Sequence, residues 1–292
     1  MFFDKVLIIG ANKVACDCLE SLVQKMDKTK LNVLESSDSK ISMLQNLCKK
    51  KDVSYYKILT KKNISDFIEK FSSSSKVLII SANNQYLFSK SEVQNEKNII
   101  INFHYALLPN YRGLNIPSWV IYNKESETGI TWHYVDAEID HGRIIKQKSM
   151  LIDDSTTAFD VVRWGMTNAI ILFNEFIDEL LSKGAVETFQ SESMIGRIYY
   201  EKNIPENGRL DLTASVYEIS RLLRAYDYKR FELLPKLQLK ENGHVFEVER
   251  YAITKMPSEN AKRKIEWGED FVRIVEDNLD IMMHVKTLSD HD

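Results

Sequence analysis

Short apolar segments recur through the first 104 residues, and their rhythm constrains the fold more than any other feature of the chain. The segments KVLIIGAN, LNVLESSD, VSYYKIL, VLIISAN and IIINFH predict strands, and stretches with helical spacing follow the first three. Strands that alternate with helices pair in parallel and are covered by helices on both faces. The sequence therefore predicts an α/β fold with a mostly parallel sheet and helices on both of its faces.

The second half of the chain changes character near residue 194. Before that point, GITWHYVD and RIIKQKSMLI predict strands, and a long helical pattern begins after a cap at Ser155 or Thr156. After it, one helix and two hairpins are predicted, with ENG and EDN at the hairpin turns. We expect a first domain over residues 1–193 and a smaller, mostly β C-terminal domain over residues 194–292.

Composition argues against several classes of protein. The 292 residues carry a net charge of -3 and contain no run of eighteen apolar residues, which disfavours a nucleic-acid surface and a membrane span. The apolar start is short and lacks a basic leader, so a cytoplasmic protein is expected. Cys16, Cys18 and Cys48 lack the further ligands of a zinc site and are expected to be free thiols.

Polar residues stand where the predicted strands end. Because ligands of such sheets bind beyond the carboxyl ends of the strands, three loops are expected to meet at one rim: residues 10–13, 81–86 and 102–112. Asn102 and His104 lie in this rim, and Asp140 precedes the turn residue Gly142. Taken singly, Asn and Asp at such places cap turns, and a His packs as an ordinary side chain.

The sequence around Asn102, His104 and Asp140 indicates a function more specifically than any one of these residues does. Residues 102–147, NFHYALLPNYRGLNIPSWVIYNKESETGITWHYVDAEIDHGRIIKQ, resemble the catalytic core of the formyltransferases that use N10-formyltetrahydrofolate. The shared frame is N-x-H, L-L-P-x-Y-R-G, a Trp, G-[IV]-T-x-H and I-D-x-G-x-I-I-x-Q. The start of the chain resembles the Rossmann-like half of that family, and the region after residue 196 resembles its small C-terminal domain. The resemblance makes residues 1–193 the expected catalytic domain.

The resemblance implies a role for each polar residue, and the chemistry of formyl transfer gives each role a reason. When an amine attacks the formyl carbon, the tetrahedral intermediate carries an oxyanion and an ammonium. Asn102 would donate to the oxyanion, and His104 would stabilise it and relay protons. Asp140 would orient and charge-balance His104 and act in removing the amine proton, directly or through water.

The implied formyl donor is N10-formyltetrahydrofolate, and no metal is implied. LIISANNQYLF resembles the family's folate-contacting strand and loop, in which mostly backbone groups would frame the pterin. The predicted cofactor-binding residues are Ser81, Asn83, Asn84, Tyr86, Leu107 and Leu108. A dinucleotide is not expected, because GANKVA has one Gly where a dinucleotide loop has three.

Two features indicate which molecule accepts the formyl group: one loop, and the net charge of the C-terminal region. YRGLNIPSWVIYN resembles family members that act on nucleotide-linked amino sugars, such as a dTDP-linked 3- or 4-amino-deoxyhexose for a surface polysaccharide. Residues 197–292 hold sixteen Lys and Arg against eighteen Asp and Glu, which argues against tRNA. The predicted substrate-binding residues are Tyr111, Arg112, Gly113, Trp119 and Arg143, and Tyr226, Tyr228, Lys229 and Arg230 are further candidates in loops.

Three alternatives stay open from the sequence. A methionyl-tRNA formyltransferase would perform the same chemistry, and a formyltetrahydrofolate hydrolase would use water as its acceptor. A silent folate or nucleotide-sugar binding protein would have no need for Asn102, His104 and Asp140 together. The expected partners are small molecules, without nucleic acid or membrane, and the C-terminal hairpins are a candidate homodimer surface.

Overall fold

The computed structural model describes residues 1–38, 41–189, 196–229, 231, 233–257 and 260–288. They fold as two compact units, and the chain passes between them several times. The first unit comprises Met1–Gly113, Gly129–Met150 and Arg163–Ile198, and the second comprises Leu114–Thr128, Leu151–Val162 and Tyr199–Asp292. The expected boundary at residues 193 and 194 lies outside the described residues, so that division of the chain stays a prediction.

The regular elements are numbered in chain order. The helices are α1 Asn12–Lys25, α2 Met43–Lys51, α3 Lys61–Ser72, α4 Lys90–Gln94, α5 Ile116–Tyr122, α6 Ala158–Lys183 and α7 Val216–Tyr226. The strands are β1 Lys5–Gly10, β2 Leu31–Glu35, β3 Ser54–Lys57, β4 Val77–Ala82, β5 Asn98–His104, β6 Arg112–Gly113, β7 Glu127–Tyr134, β8 Ile144–Leu151, β9 Ile198–Tyr199, β10 Arg209–Leu210, β11 Gln238–Glu241, β12 His244–Lys255, β13 Ala261–Trp267, β14 Phe271–Asp277 and β15 Leu279–Thr287.

The first unit is built on a sheet that has, in the described residues, seven strands in the order β3-β2-β1-β4-β5-β7-β8. The strands from β3 to β5 pair in parallel, and β7 joins β5 antiparallel. Both faces are covered, because Val6 and Ile8 pack in a cluster with residues of α1 and α6, whereas Leu7 and Ile9 pack with residues of α3. The predicted α/β sheet with helices on both faces is confirmed.

The second unit contains a sheet with, among the described residues, six strands in the order β10-β11-β12-β15-β14-β13. Both predicted hairpins are present: β11 meets β12 through Asn242 and Gly243, which have positive φ as a two-residue hairpin turn requires, and β14 meets β15 at Asp277. The apolar side of α7 packs on the sheet through Val216 and Ile219. The sequence did not predict β13, an edge strand rich in charged residues.

The start of α6 lies slightly later than predicted. Asp160 N donates to Thr157 Oγ1 over 3.2 Å, and Thr157 N donates to Asp160 Oδ2 over 3.1 Å, so Thr157 caps the helix. Ser155 and Thr156, the predicted caps, instead donate their hydroxyls to Asp153 Oδ1. Ser155, Thr156 and Thr157 all carry hydroxyls that could accept from the first free amide groups of α6, and the prediction named the wrong residues. None of the helices in the described part of the chain is long and apolar enough to span a membrane.

Gly10 marks the close approach of two strands. A Cβ at this position would lie 1.9 Å from the carbonyl oxygen of Ala82 in β4. Since that atom belongs to the backbone of a central strand, it cannot move aside as a flexible side chain would. The packing of β1 on β4 therefore accounts for the glycine without a bound phosphate.

We expect Gly10→Ala to lower the free energy of unfolding by about 2–3 kcal/mol, because the added methyl group overpacks the sheet. Gly243→Ala is the matched control: its φ is +84° but nothing lies within 4 Å of a Cβ, so only the left-handed backbone costs about 1 kcal/mol. Urea denaturation followed by circular dichroism measures both losses. Equal losses would show that space at Gly10 is not the constraint.

Candidate active site

The pairing of three strands brings polar residues to one rim of the first unit. Ser81 of β4 lies opposite Asn102 of β5, and Asn102 in turn lies opposite His133 of β7. His104, the last residue of β5, lies opposite Thr131. Two of the predicted loops, residues 81–86 and 102–112, therefore leave neighbouring strand ends as expected. Gly10 also lies beside β4, opposite Ala82, which places the third loop at the same edge.

Asp140 lies at the centre of this rim, in the connection between β7 and β8. Its Oδ2 accepts a 2.9 Å hydrogen bond from Gly113 N and lies 3.5 Å from His104 Nδ1. Its Oδ1 accepts a 3.3 Å hydrogen bond from Asn102 Nδ2 and lies 3.5 Å from His133 Nε2. The structure thus brings Asn102, His104 and Asp140 together, and it adds His133 to them.

The carboxylate of Asp140 is ionised despite its burial. Only 13% of its side chain is exposed. Burial raises the pKa of Asp140, but the charge of His104, the contacts with His133 and the Gly113 amide together outweigh burial and hold that pKa well below its usual range. A stable negative charge therefore lies between two imidazole rings.

The hydrogen bonds of His104 restrict its protonation. Its Nε2 lies 2.7 Å from the carbonyl oxygen of Tyr111, and its Nδ1 faces Asp140. Each ring nitrogen thus faces an acceptor, and His104 donates to both only as an imidazolium. The ring is buried, with 7% of its side chain exposed. His104 is therefore placed as a donor of protons and hydrogen bonds.

The sequence did not single out His133 as a site residue. Its Nδ1 lies 2.8 Å from the carbonyl oxygen of Tyr134 and must donate to it. Its Nε2 lies 3.1 Å from Asn102 Nδ2 and 3.5 Å from Asp140 Oδ1. His133 therefore contacts both the Asn102 amide and the Asp140 carboxylate. The available signal was the G-I-T-x-H frame, in which this His occupies the last position.

Two further residues missed by the sequence hold the loop that follows β5. Thr131 Oγ1 donates to Ala106 O over 2.6 Å and accepts from Leu108 N over 3.3 Å. Gln147 Nε2 donates to Leu108 O over 2.8 Å and to Thr131 Oγ1 over 2.9 Å. Leu107 lies against Gly129, where a Cβ would come within 2.6 Å of its side chain. The segment with Leu107 and Leu108 is thus held by hydrogen bonds between its backbone and side chains of β7 and β8.

The predicted pterin loop is fixed by its own side chains. Asn84 Oδ1 accepts from Tyr86 N over 3.0 Å, and Asn84 Nδ2 donates to Ser81 Oγ over 3.4 Å. The Tyr86 hydroxyl donates to the buried Glu92 over 2.7 Å, and burial together with this carboxylate raises the pKa of Tyr86 to about 12. Asn83 adopts a φ of +57°. The side chains of Asn84 and Tyr86 are therefore engaged in hydrogen bonds that hold the loop, and the predicted pterin contacts stay a prediction.

Arg112 is buried, unlike a residue of a solvent-facing loop. Only 3% of the residue is exposed. Its Nε donates to the carbonyl oxygen of Ile139 over 2.6 Å, and its Nη2 lies 3.4 Å from Glu138 Oε2. The adjacent Gly113 donates its amide to Asp140, and Tyr111 supplies its carbonyl to His104. The Tyr-Arg-Gly segment is therefore part of the framework around Asp140.

Arg143 is not brought to this cluster. It is exposed and lines a cavity of about 530 Å³ together with Asn98, Tyr134 and Val186. No hydrogen bond or ion pair between Arg143 and Asn102, His104 or Asp140 is found in the described part of the chain, although Tyr134 of the same cavity is next to His133 in β7.

The remaining candidates belong to the second unit and are bonded within it. Trp119 Nε1 donates to Asn203 O over 3.1 Å, and its ring lies 4.9 Å from that of Tyr199. The Tyr226 hydroxyl donates to Pro205 O over 2.6 Å, and the Tyr228 hydroxyl lies 2.7 Å from Ser118 Oγ. Lys229 pairs with Asp227 over 2.7 Å, and Arg230 lies outside the described residues.

The cysteines are free, and burial raises the pKa of Cys16 to about 11. Cys18 and Cys48 are buried. Within the described ranges, no group of three or more His, Cys, Asp or Glu residues is arranged to hold a metal ion.

Comparison with known proteins agrees with the geometry of the cluster. A family described as formyl transferase matches residues 12–169, which is more than half of the chain. The chain belongs to the formyl transferase family. It is a formyl-transferring enzyme, and the resemblance seen in residues 102–147 is confirmed.

The relatives differ in how much of the chain they match. GDP-perosamine N-formyltransferase of Brucella melitensis is 27% identical over 247 residues, 84% of this chain and 92% of the relative. Methionyl-tRNA formyltransferase of Flavobacterium psychrophilum is 31% identical over 123 residues, 42% of this chain and 39% of that protein. An N-formyltransferase structure from Helicobacter canadensis, with folinic acid and dTDP-3-aminofucose, has a TM-score of 0.74 at 21% identity and covers 97% of this chain and 99% of its own. The last comparison shows a shared fold.

The charge of Asp140 predicts a pH-dependent stability. Because its pKa is lower in the folded than in the unfolded chain, its contribution is present above the unfolded value of about 3.9 and is lost as the pH falls towards the folded value. Asp140→Asn should therefore cost about 3 kcal/mol at pH 7 and clearly less at pH 3. Urea denaturation of both proteins at each pH measures the difference.

The control is Asp178→Asn, which removes an exposed carboxylate paired with Lys25. It should change the free energy of unfolding by less than about 1 kcal/mol at either pH. A loss for Asp140→Asn that is the same at pH 7 and pH 3 would contradict the assigned charge.

Proposed function

We propose that the protein transfers the formyl group of N10-formyltetrahydrofolate to the amine of a nucleotide-linked amino sugar, yielding an N-formylated sugar and tetrahydrofolate. The observation that carries the proposal is the buried cluster of Asn102, His104 and Asp140, which join at the ends of β5 and the β7–β8 connection. An amide, an imidazolium and a carboxylate are the groups that a tetrahedral formyl intermediate requires.

The charges of the cluster suggest how its protons move. After the amine attacks, Asn102 and the His104 imidazolium donate hydrogen bonds to the oxyanion. His104 then passes a proton to the leaving nitrogen of the folate. Because the charge of His104 helps to hold the pKa of Asp140 low, losing that charge raises the proton affinity of Asp140. Asp140 gains basicity when the ammonium has to lose its proton, which it accepts directly or through water.

Substrates would have to replace internal hydrogen bonds of the cluster. Asn102 Nδ2 donates to both His133 and Asp140, and His104 Nε2 donates to Tyr111 O. A formyl oxygen entering the rim would take over one of the Asn102 bonds and the His104 bond to the loop. Such preformed donors need little reorganisation when the oxyanion forms.

The cofactor assignment rests on the loops beside the cluster. Residues 81–86 would frame the pterin with backbone groups, since the Asn84 and Tyr86 side chains hold the loop itself. Leu107 and Leu108 would line the apolar part of the slot. In support, the Helicobacter canadensis relative was solved with folinic acid.

The acceptor assignment draws on two relatives. One is named for GDP-perosamine, and the other was solved with dTDP-3-aminofucose; both ligands are nucleotide-linked amino sugars. They differ in their nucleotide, so the shared chemistry is the amine on the sugar. Tyr111 and Gly113, next to Asp140, are proposed acceptor contacts in the first unit, and the role predicted for Trp119 stays a prediction. A role for Arg143 would require an acceptor that reaches its cavity.

Formyl transfer should depend on the acceptor offered. We expect tetrahydrofolate release, followed by absorbance, with GDP- and dTDP-linked amino sugars and little release with water alone. Mass spectrometry of the sugar product should show the added formyl group. Methionyl-tRNA is the decisive contrast, because its binding would weaken steeply with salt. Release with methionyl-tRNA alone would overturn the sugar assignment, and release with water alone would indicate a hydrolase.

Two substitutions test the cluster itself. His104→Asn and Asp140→Asn should each lower kcat by about 10²–10³, because each removes an oxyanion donor or its charge partner. His141→Asn is the matched control, since His141 pairs with Asp136 at the edge of the same connection. It should stay within about twofold of the parent enzyme. Near-parental turnover in a folded His104→Asn variant would contradict the catalytic role of His104.

A further inference from the structure

The Tyr-Arg-Gly segment and the Asp140 connection are joined at two successive positions. Arg112 donates its side chain to the backbone of Ile139, over 2.6 Å. The next residue, Gly113, donates its backbone to the side chain of Asp140, over 2.9 Å. Adjacent residues of one segment therefore hold adjacent residues of the other, once through a side chain and once through the backbone.

The backbone at Asp140 needs such support. Asp140 has a φ of +43°, in the left-handed region that a residue with a Cβ adopts at a cost in free energy. Gly142 follows two residues later, where a Cβ would lie 1.9 Å from the carbonyl oxygen of Tyr134, so the chain turns tightly against β7. The position of the Asp140 carboxylate therefore depends on the carbonyl of Ile139 being held.

The guanidinium of Arg112 is suited to that task and poorly placed to bind an acceptor. Only 4% of its side chain is exposed, and its Nε–H is directed at the Ile139 carbonyl. Its other contact, Glu138, is 65% exposed and is expected to contribute little. Burial of a cation is costly unless its hydrogen bonds are made, and the bond to Ile139 O is the short one.

We propose that Arg112 is a positioning residue that sets the Asp140 carboxylate against His104, and that it is not a ligand of the acceptor's phosphate groups. The inference rests on the proposed function of the Asn102–His104–Asp140 cluster. It separates two roles for one cation: a phosphate ligand would act on acceptor affinity, whereas a positioning residue acts on the step in which Asp140 takes part.

Steady-state kinetics separate the two roles. Arg112→Ala should lower kcat by about 100-fold, the loss typical of a misplaced catalytic group, while the acceptor KM changes less than about threefold. Guanidinium ion at millimolar concentration should restore part of kcat, because it can occupy the vacated volume and donate to Ile139 O. Arg112→Lys, which keeps a cation but places its donors on a single nitrogen, should fall between the parent enzyme and Arg112→Ala.

Glu138→Gln is the matched control. It removes the exposed ion pair and keeps the Arg112 bond to Ile139 O, so kcat should stay within about twofold. A raised acceptor KM with unchanged kcat in Arg112→Ala would overturn the proposal in favour of a phosphate ligand. A loss in Glu138→Gln as large as that in Arg112→Ala would also overturn it.

A structural measurement keeps the test independent of turnover. Crystal structures of the parent enzyme, Arg112→Ala and Arg112→Lys without substrates should show the Asp140 carboxylate displaced from Gly113 N, most in Arg112→Ala and less in Arg112→Lys. An unmoved Asp140 would refute the positioning role, even if the sugar acceptor assignment had failed. If Arg112→Ala does not fold, Arg112→Lys with its kcat and its Asp140 position decides the same question.

Discussion

The buried negative charge of Asp140 is the constraint on which the site depends. A carboxylate with so little exposure stays ionised only if opposite charge and hydrogen-bond donors surround it. These partners come from separate places: Asn102 and His104 from β5, His133 from β7 and Gly113 from the short strand β6. The charge can therefore exist only when sheet and loops are already assembled, which ties the chemistry of the site to the completed fold of the first unit.

Around this charge lies a set of residues that hold backbone rather than substrate. Thr131 and Gln147 fix the loop after β5, Glu92 fixes the loop of residues 81–86 through Tyr86, and Arg112 fixes Ile139. All of them act on carbonyl, amide or hydroxyl groups of segments without regular structure. Polar side chains of strands and helices therefore hold the segments that surround Asp140.

The apolar runs located the seven strands of the first sheet, because such runs are local properties, and the resemblance of residues 102–147 to a known family singled out Asn102, His104 and Asp140. Neither identified His133, since its meeting with Asn102 depends on the antiparallel register of β7 on β5, a long-range property. The burial of Arg112 was also not predicted, because a cation between Tyr and Gly shows nothing about burial. The edge strand β13 was not predicted, because its many charged residues interrupt the alternation of apolar and polar residues. The cap of α6 was predicted at the wrong residue, because Ser155, Thr156 and Thr157 all carry hydroxyls that can cap a helix.

The two units are interwoven along the chain, which passes from one to the other five times. Helix α5 lies between two pieces of the first unit in sequence, yet its Ser118 bonds with Tyr228, more than a hundred residues later. A gene fragment that ends near residue 193 would encode α5 but not Tyr228, the partner of its Ser118. A single crossover near residue 193 between two related genes would therefore separate segments that belong to the same unit.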